Sequence, residues 1–193
     1  MSQDRPGLVT ALGRNPVLVG LPGAGKSSVG KRLATKLGVP FVDADTEIEK
    51  AAGMTIDEIF KMHGEPAFRD GEARVIARLV RGGPHVIATG GGAFMRSDTR
   101  EAIAGHGIAI WLDASTDVLL SRIVRRTNRP LFHNVDPRQK LVDLRAVRDP
   151  VFAEAQIRVT SSAGPHDRVV QAIIRELKAR TRGVGQPEAV DPA

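Results

Sequence analysis

A glycine-rich segment at residues 20–28, GLPGAGKSS, follows an apolar run at residues 16–19 and precedes a helical pattern that ends near Leu37. The spacing Gly-x4-Gly-Lys-Ser is that of a phosphate-binding loop, or P-loop, which requires a strand before it and a helix after it. Glycines let successive backbone N–H groups point inward, and no Cβ blocks the approach of a polyphosphate. The segment therefore predicts a nucleotide-binding α/β protein. A glycine-rich turn without a ligand is the less specific alternative.

The P-loop also suggests roles for individual residues. Lys26 is expected to reach the β- and γ-phosphates, the Ser27 hydroxyl to hold Mg²⁺, and the N-terminus of the following helix to add its partial positive charge. The residues predicted to bind ATP in this segment are Gly23, Ala24, Gly25, Lys26, Ser27 and Ser28.

The composition is typical of a globular protein, with 41% hydrophobic and 26% charged residues in a chain of 193. We expect a cytoplasmic protein, because no run approaches the roughly 18 apolar residues of a membrane span and the first residues lack the pattern of a signal peptide. The chain has no cysteine, so disulfides and thiolate metal sites are excluded and a metal would need oxygen or histidine ligands.

Strand-like and helix-like segments alternate along the chain. Short apolar runs predict five strands, at residues 16–19, 39–42, 85–89, 107–112 and 156–160. Such runs between helices are typical of a parallel sheet covered on both faces, so we predict a three-layer α/β/α fold with a five-stranded parallel sheet. The expected organisation is one domain at residues 15–182, a flexible extension at residues 1–14 and a disordered tail at residues 183–193.

Capping signals predict where two of the helices begin. Thr46-x-x-Glu49 and Thr55-x-x-Glu58 both have the spacing of a capping box, so a helix is expected to start at each threonine. Glycine and proline at residues 64–66 are expected to break the second helix.

Polar or glycine segments follow three of the predicted strands: the P-loop, Asp43 with Asp45, and Gly90, Gly91 and Gly92. Ligands of parallel sheets bind outside the carboxyl ends of the strands, so we expect these segments to converge on one crevice. If strand geometry persists through Asp43 and Asp45, their side chains face the same way. One could then reach Mg²⁺ through water and the other the hydroxyl of a second ligand. The alternative is that one of them only caps the helix that follows. The three glycines offer bare N–H groups and close approach to a ligand.

The net charge of +6 is concentrated in one window, since eight basic and two acidic residues lie between Ser121 and Arg148. A basic face can bind nucleic acid, but the window holds one aromatic residue, Phe132, for base stacking, and the chain has no tyrosine. A compact positive patch beside a P-loop fits a small polyanion better. A loop carrying Arg129 that closes over the nucleotide would supply a cation to the transferring group, and a solvated basic face is the alternative.

Two further groups have weaker signals. Arg69 and Glu72 lie one helical turn apart and can pair, although such pairs are usually solvated and contribute little. The histidines have no metal-binding spacing and are interpreted as structural or surface residues: His63, His85, His106, His133 and His166.

Several motifs follow one another in a characteristic order: GLPGAGKSS at residues 20–28, FVDAD at 41–45, IF at 59–60, GE at 64–65, FRxxE at 68–72, TGGGA at 89–93, RPL at 129–131 and RDP at 148–150. In this order they closely resemble the shikimate kinases, small nucleoside-monophosphate-kinase-like P-loop enzymes that phosphorylate the 3-hydroxyl of shikimate with ATP. The resemblance covers about residues 15–180 and is far more specific than the P-loop alone.

The resemblance implies a P-loop kinase fold and a transferase that uses ATP and shikimate, with Mg²⁺ as cofactor, in the chorismate and aromatic amino-acid pathway. It further implies no nucleic-acid or membrane partner and a monomeric enzyme. Residues 46–72 would form the substrate-binding region and residues 127–139 a lid over the nucleotide.

Individual roles carry over by position. The residues that match the shikimate-binding set, with arginines on the carboxylate and the others on hydroxyls or beside the ring, are Asp45, Phe68, Arg69, Gly91, Gly92 and Arg148. The residues that match the family's ATP and Mg²⁺ contacts are Ser27 and Asp43 for Mg²⁺, Lys26 and Arg129 for the phosphates, and Arg122 for adenine. Catalysis is expected from Lys26, Arg129 and Asp45, which would orient the attacking hydroxyl or accept its proton.

Two features depart from the family pattern. Phe152 stands where the family usually has tyrosine, and the dense arginines leave Arg122, Arg125 and Arg126 as candidates for the adenine contact. The P-loop does not identify the molecule that accepts the phosphoryl group, so a gluconate or nucleotide kinase with the same fold is one alternative. Another is a basic protein that binds nucleic acid and uses the nucleotide only as a switch. Two arginines able to clamp a carboxylate favour a small polyhydroxy acid.

Overall fold

Short apolar runs form a five-stranded parallel sheet in the computed structural model, which describes residues 7–124, 135–162 and 164–183. The strands are β1 (Asn15–Val19), β2 (Phe41–Asp43), β3 (Val86–Ala88), β4 (Gly107–Asp113) and β5 (Ile157–Thr160). Their order is β2-β3-β1-β4-β5, and every pairing is parallel. The predicted sheet is confirmed, and the strand that precedes the P-loop is the buried central one.

Two groups of helices flank the sheet. The helices of the described residues are α1 (Leu8–Leu12), α2 (Lys26–Leu37), α3 (Ala44–Ala52), α4 (Ile56–Arg81), α5 (Ser97–His106), α6 (Thr116–Val124), α7 (Pro137–Phe152) and α8 (His166–Gly183). A short 3₁₀ turn spans Ala93–Met95. α1, α2 and α8 pack together, whereas α4, α5, α7 and the 3₁₀ turn form the second group. None of the helices in this part of the chain is long and apolar enough to cross a membrane.

The strand order brings the chemically rich segments to one edge of the sheet. The connection after β1 runs to β2 on one side of it, whereas the connection after β3 crosses to β4 on the other side, so the direction of the connections reverses at β1. Ligands of such sheets bind in the crevice at the carboxyl ends of the strands near this reversal. The P-loop follows β1, Asp43 ends β2 and Gly90 follows β3 shortly after its end, so the topology places all three around that crevice.

The helix after β2 begins earlier than the capping-box spacing predicts. Asp43, not Thr46, is the N-cap of α3, and its carboxylate accepts a hydrogen bond from the Asp45 N–H at 3.2 Å. An aspartate directly after the strand satisfies an unpaired N–H of the first turn, so the helix starts there and Asp45 lies in its first turn rather than on an extended strand. The second prediction is confirmed, because Thr55 and Glu58 form a reciprocal capping box at the start of α4.

The predicted break in the second of these helices is a kink inside α4. Gly64 has φ 77° and ψ 172°, a conformation that glycine adopts at little cost, and helical geometry continues on both sides of it. Pro66 follows at the start of the second segment, where its missing N–H leaves no helical hydrogen bond unmade.

Phe152 packs in the core, where the family resemblance predicts tyrosine. It is 1% exposed, and its ring centroid lies 5.9 Å from that of Trp111 and 6.2 Å from that of Phe94. A hydroxyl buried here would need a hydrogen-bond partner, which phenylalanine does not. The substitution therefore keeps the apolar packing without introducing a buried polar group.

The segment predicted as a flexible extension contains a helix, which corrects that prediction for residues 8–12. α1 packs against α8 and β1, and Val9 is 2% exposed. Leu8 and Leu12 have helical spacing and pack against the core, so the short helix has an apolar face to bury. The predicted tail beyond residue 183 lies outside the described residues.

Candidate functional site

The P-loop occupies the centre of a cleft. Gly23 and Gly25 have φ angles of 87° and 99°, which favour glycine, and α2 begins directly after Gly25. The backbone N–H groups at the start of α2 and the helix dipole together attract anions. The N–H of Ala24 is engaged within the loop, where it donates to the Leu21 carbonyl at 3.1 Å. The loop therefore has the geometry of a phosphate cradle.

Lys26 lies across this loop. Its Nζ donates to the carbonyls of Gly20 and Leu21 at 2.7 and 3.1 Å. The cleft around it has a volume of about 800 Å³. The residues that line it are Pro22, Gly23, Gly25, Lys26, Ser27, Ser28, Arg32, Asp43, Asp45, Thr89, Gly90, Gly91, Arg122, Gly164, Pro165, His166 and Asp167.

Ser27 and Asp43 meet across the cleft from α2 and β2. The Ser27 hydroxyl donates to Asp43 Oδ2 at 2.8 Å. Mg²⁺ usually keeps several waters and binds one or two protein oxygens together with phosphates, so this pair fits a cation that is shared with a nucleotide. No cluster of three or more histidine, cysteine, aspartate or glutamate residues suited to a metal occurs among the described residues, so these side chains do not form a closed cage.

Asp45 lies in the cleft at the start of α3. Burial raises its pKa to about 6, and the negative charges of Asp43 and Glu72 add to this effect. A carboxylate with such a pKa is ionised at neutral pH but accepts a proton more readily than an ordinary aspartate. The structure therefore places a group suited to receive a hydroxyl proton beside the P-loop.

Each glycine of the triplet after β3 is closely approached by a different group. The groups that would lie within 3.0 Å of an added Cβ are the carboxylates of Glu72 and Asp45 at Gly90, the Pro22 ring at Gly91 and the Arg69 guanidinium at Gly92. A side chain at any of these positions would displace one of those groups. The triplet therefore lets the P-loop, the acids and an arginine converge on one backbone segment.

The Arg69–Glu72 pair is not the solvated surface pair that its spacing suggested. The Glu72 side chain is 1% exposed, and its Oε2 accepts a hydrogen bond from Arg69 Nη1 at 2.7 Å. Its Oε1 is buried without a hydrogen-bond partner among the described residues. Burial raises the pKa of Glu72, while Arg69 opposes that rise. Because a buried charge left unpaired is costly, Glu72 holds the guanidinium in place.

Arg148 reaches the same region from α7. Its Nη1 donates to the Gly91 carbonyl at 2.9 Å. Burial lowers the pKa of Arg148, and the nearby positive charge of Arg69 lowers it further. Two neighbouring cations attract an anion. Phe68 is 5% exposed and packs its ring 5.1 Å from the Arg69 guanidinium, so it supports that arginine rather than facing open solvent.

Arg122 lies beside the P-loop at the opposite end of the cleft. Its Nη1 donates to the carbonyls of Gly23 and Ala24 and to the Ser161 hydroxyl at distances of 3.1 to 3.2 Å. Its Nη2 donates to the Ser162 carbonyl at 2.6 Å. Burial lowers the pKa of Arg122. This arginine therefore ties the P-loop to the segment after β5.

Sequence reasoning missed that segment. Residues 164–167 line the cleft, so His166 lies at the candidate site, and its interpretation as a structural or surface residue stays a prediction. The signal was available, because the segment follows the carboxyl end of a strand just as the other cleft segments do. Burial lowers the pKa of His166, and the positive charges of Arg122 and Arg32 lower it further.

The basic residues between Ser121 and Arg148 do not form one compact patch, because aspartates neutralise some of them. Arg138 and Arg145 pair with aspartates on α6, β4 and α7, whereas Arg122 and Arg148 reach the cleft region. Arg129 and residues 127–134 of the predicted lid lie outside the described residues. Their roles stay predictions.

The chain is similar to known proteins over most of its length. A family model described as shikimate kinase matches residues 22–178. A shikimate kinase of Bradyrhizobium diazoefficiens is 53% identical over 185 residues, which cover 94% of this chain and 89% of the relative. A shikimate kinase of Rhodopseudomonas palustris is 55% identical over 171 residues, covering 88% and 84%.

Solved structures share the architecture. A shikimate kinase from Acinetobacter baumannii in complex with shikimate has a TM-score of 0.83 and 38% identity, covering 89% of this chain and 98% of that one. A gluconokinase from Sinorhizobium meliloti has a TM-score of 0.56 and 22% identity, covering 88% and 95%. The second likeness concerns the fold alone, because a fold hosts many functions.

Proposed function

The chain belongs to the shikimate kinase family, and from this premise we propose that its P-loop cleft transfers the γ-phosphoryl group of ATP to the 3-hydroxyl of shikimate. The products are shikimate 3-phosphate and ADP, in a step of the chorismate and aromatic amino-acid pathway. One observation supports the residue roles proposed below. Arg69 and Arg148 both approach the glycine loop after β3, and Asp45 lies against the same loop.

Arg69 and Arg148 would bind the carboxylate of shikimate. Guanidinium groups bind carboxylates through paired, charge-assisted hydrogen bonds. Glu72 holds Arg69 from the buried side, and the absence of a side chain at Gly92 leaves room for the guanidinium. A carboxylate fixed at this end of the site leaves the hydroxyls of the ring to face Asp45 and the P-loop.

The phosphates of ATP would lie on the P-loop, where the start of α2 supplies N–H groups and Lys26 supplies a positive charge. We propose that Ser27 and Asp43 hold Mg²⁺, which when bound with ATP neutralises phosphate charge. Arg122 and residues 164–167 line the end of the cleft that is left for the base. Arg129 stays a predicted phosphate contact.

Asp45 would orient the acceptor hydroxyl. The hydroxyl oxygen attacks the γ-phosphorus in line, the bond between that phosphorus and the leaving oxygen of ADP breaks, and the hydroxyl proton passes to the Asp45 carboxylate. Loose phosphoryl transition states need little help from a base, so positioning is the larger contribution. The raised pKa of Asp45 makes the carboxylate a better proton acceptor than an ordinary aspartate.

The reaction is tested by measuring ADP release from Mg·ATP with shikimate, gluconate, AMP or no acceptor in parallel. We expect turnover with shikimate and background rates in the other three reactions. Turnover with gluconate or AMP in place of shikimate would refute the assignment of the acceptor and leave the fold and the P-loop unaffected.

Two substitutions test the roles within the cleft. Lys26→Ala should lower kcat by at least about a hundredfold, because the lysine acts on the charge that develops during transfer. Arg69→Ala should raise the KM for shikimate by about ten- to a hundredfold, the effect expected when hydrogen bonds to a charged group are lost. Unchanged shikimate affinity and turnover in Arg69→Ala would show that the clamp is misassigned.

We extend the proposal to a monomeric enzyme of the cytoplasm. The described residues assigned above lie around the P-loop cleft of a single chain, an arrangement that a monomer can use. Sedimentation analysis of the active enzyme and fractionation of cells that produce it test these two statements.

A further inference from the structure

A second carboxylate, that of Glu65, lies on Arg69. Glu65 Oε1 accepts hydrogen bonds from both Nε and Nη2 of Arg69, at 3.2 and 3.1 Å. The remaining nitrogen, Nη1, donates to Glu72 at 2.7 Å. The Nε–Nη2 edge of a guanidinium is a surface on which a carboxylate binds through two parallel hydrogen bonds. One oxygen of Glu65 therefore occupies an edge that a substrate carboxylate would use.

Glu65 also lies close enough to the second arginine to act on it. Burial and the charge of Arg69 lower the pKa of Arg148, and the negative charges of Glu65 and Glu72 oppose that shift. The two acids differ in exposure, since the Glu65 side chain is 63% exposed and that of Glu72 is 1% exposed. Glu72 is the fixed partner of the clamp, and Glu65 is the partner that solvent can replace.

The backbone at Glu65 permits such an exchange. The kink at Gly64 separates Glu65 from the first part of α4, so its side chain projects from the start of the second helical segment. A negative side chain is favoured in a first helical turn whether or not it pairs with an arginine. Glu65 can therefore leave Arg69 by rotating its side chain, with the helix unchanged.

We propose that Glu65 is an internal competitor for the substrate carboxylate, held on Arg69 in the free enzyme and displaced when shikimate binds. This inference rests on the proposed function, because it concerns the same clamp. It assigns the two acids opposite roles: Glu72 positions Arg69 for the substrate, and Glu65 weakens substrate binding. A substrate whose carboxylate binds both Arg69 and Arg148 displaces Glu65 more readily than a ligand that binds one of these arginines. The contact between Glu65 and Arg69 therefore also contributes to selectivity for the acceptor.

The test is Glu65→Gln, which keeps the size of the side chain and removes its charge. The dissociation constant of shikimate, measured by calorimetric titration, should fall by about two- to fivefold, the range expected from loss of an exposed ion pair. The KM for shikimate should fall with it, while the KM for ATP stays unchanged. Glu176→Gln, at an exposed position on α8, is the matched control for the loss of one negative charge and should leave both constants unchanged.

Glu72→Gln separates the two roles, because loss of the buried partner should weaken shikimate binding where Glu65→Gln strengthens it. Unchanged or weaker binding in Glu65→Gln would overturn the inference, and weaker binding would assign Glu65 to the positioning of Arg69. Failure of the proposed function has a different signature, since the unsubstituted enzyme would then release no ADP in response to shikimate.

Discussion

Asp45 is a residue whose burial favours chemistry and disfavours folding. Its pKa in the folded protein is about 6, against an ordinary value of 3.8, and burial is the main cause. The folded state therefore holds the proton more tightly than the unfolded state. Stability is lost as the pH rises from about 4 to about 6, and above that range the charged carboxylate destabilises the fold in full.

Asp45→Asn should consequently stabilise the protein while lowering its activity. We expect a gain of about 1 kcal/mol in the free energy of unfolding at about pH 8, or roughly 2–4 °C in Tm, and a smaller gain at about pH 5. The kcat should fall by about a hundredfold, the low end of the range for loss of a proton acceptor, because the neutral amide also loses the charge-assisted hydrogen bond that positions the hydroxyl. Thermal unfolding followed by circular dichroism measures the gain, with the exposed Asp143→Asn on α7 as the control.

The same carboxylate predicts a pH dependence of the reaction. Because the proposed mechanism uses Asp45 in its ionised form, kcat/KM for shikimate should fall below about pH 6, the pKa of Asp45 in the free enzyme. The low-pH decline should be missing from the profile of Asp45→Asn. A decline that persists unchanged in that variant would assign the titration to another group.

At the scale of elements, the glycine loop after β3 and α4 form a matched surface. Phe68 and Glu72 lie on the buried face of α4 and support Arg69, which fits against the bare Cα of Gly92. An added Cβ at Gly92 would lie 2.9 to 3.1 Å from the guanidinium atoms. The end of an arginine side chain can shift, so such a change should displace the Arg69 guanidinium of the proposed clamp and leave the fold intact.

Gly92→Ala should therefore raise the KM for shikimate by about tenfold with less than about 0.5 kcal/mol change in stability. Its backbone angles, φ −108° and ψ −10°, are open to alanine. Gly71→Ala is the matched control, because an added Cβ there meets no atom within 4 Å. That variant should keep its KM and gain about 0.5–1 kcal/mol of stability, since alanine is the better helix former. Steady-state kinetics and thermal unfolding of both variants measure these effects.

At the scale of the whole molecule, the site is assembled from most of the sheet. The P-loop follows β1, Asp43 ends β2, Asp45 lies in the first turn of α3 and the glycine loop follows β3. The segment after β5 lines the end of the cleft proposed for the base. Helices α4 and α7 add the two arginines. Ligands that bind across these elements bind the folded state alone, so they stabilise the fold by mass action.

Shikimate and Mg·ADP should each raise the Tm. At about 100 times Kd a ligand adds roughly 2.7 kcal/mol, which corresponds to about 5–10 °C for a chain of this size. Differential scanning fluorimetry should show that Arg69→Ala loses the shift caused by shikimate and keeps the shift caused by Mg·ADP. Loss of both shifts would indicate that the substitution damages the fold rather than the acceptor site.

The sequence alone determined the features that depend on neighbouring residues. The P-loop, the five strands and the capping box at Thr55 follow from local backbone preferences and from the alternation of apolar runs, so they were predicted correctly. The convergence of three segments on one crevice was also predictable, because parallel strands carry their carboxyl ends to the same edge.

The tertiary structure alone decided burial and electrostatics. The spacing of Arg69 and Glu72 showed that they share a helix face, but it did not show that this face is covered. Burial of Glu72 is what makes the pair a fixed support for the arginine of the proposed clamp. The raised pKa of Asp45 likewise depends on its burial and then on the charges of Asp43 and of Glu72, which is distant in sequence. The place of His166 in the cleft depends on how the segment after β5 meets the P-loop. Helical and strand periodicity fixes which side chains share a face, whereas desolvation and charge coupling depend on which distant elements pack against that face.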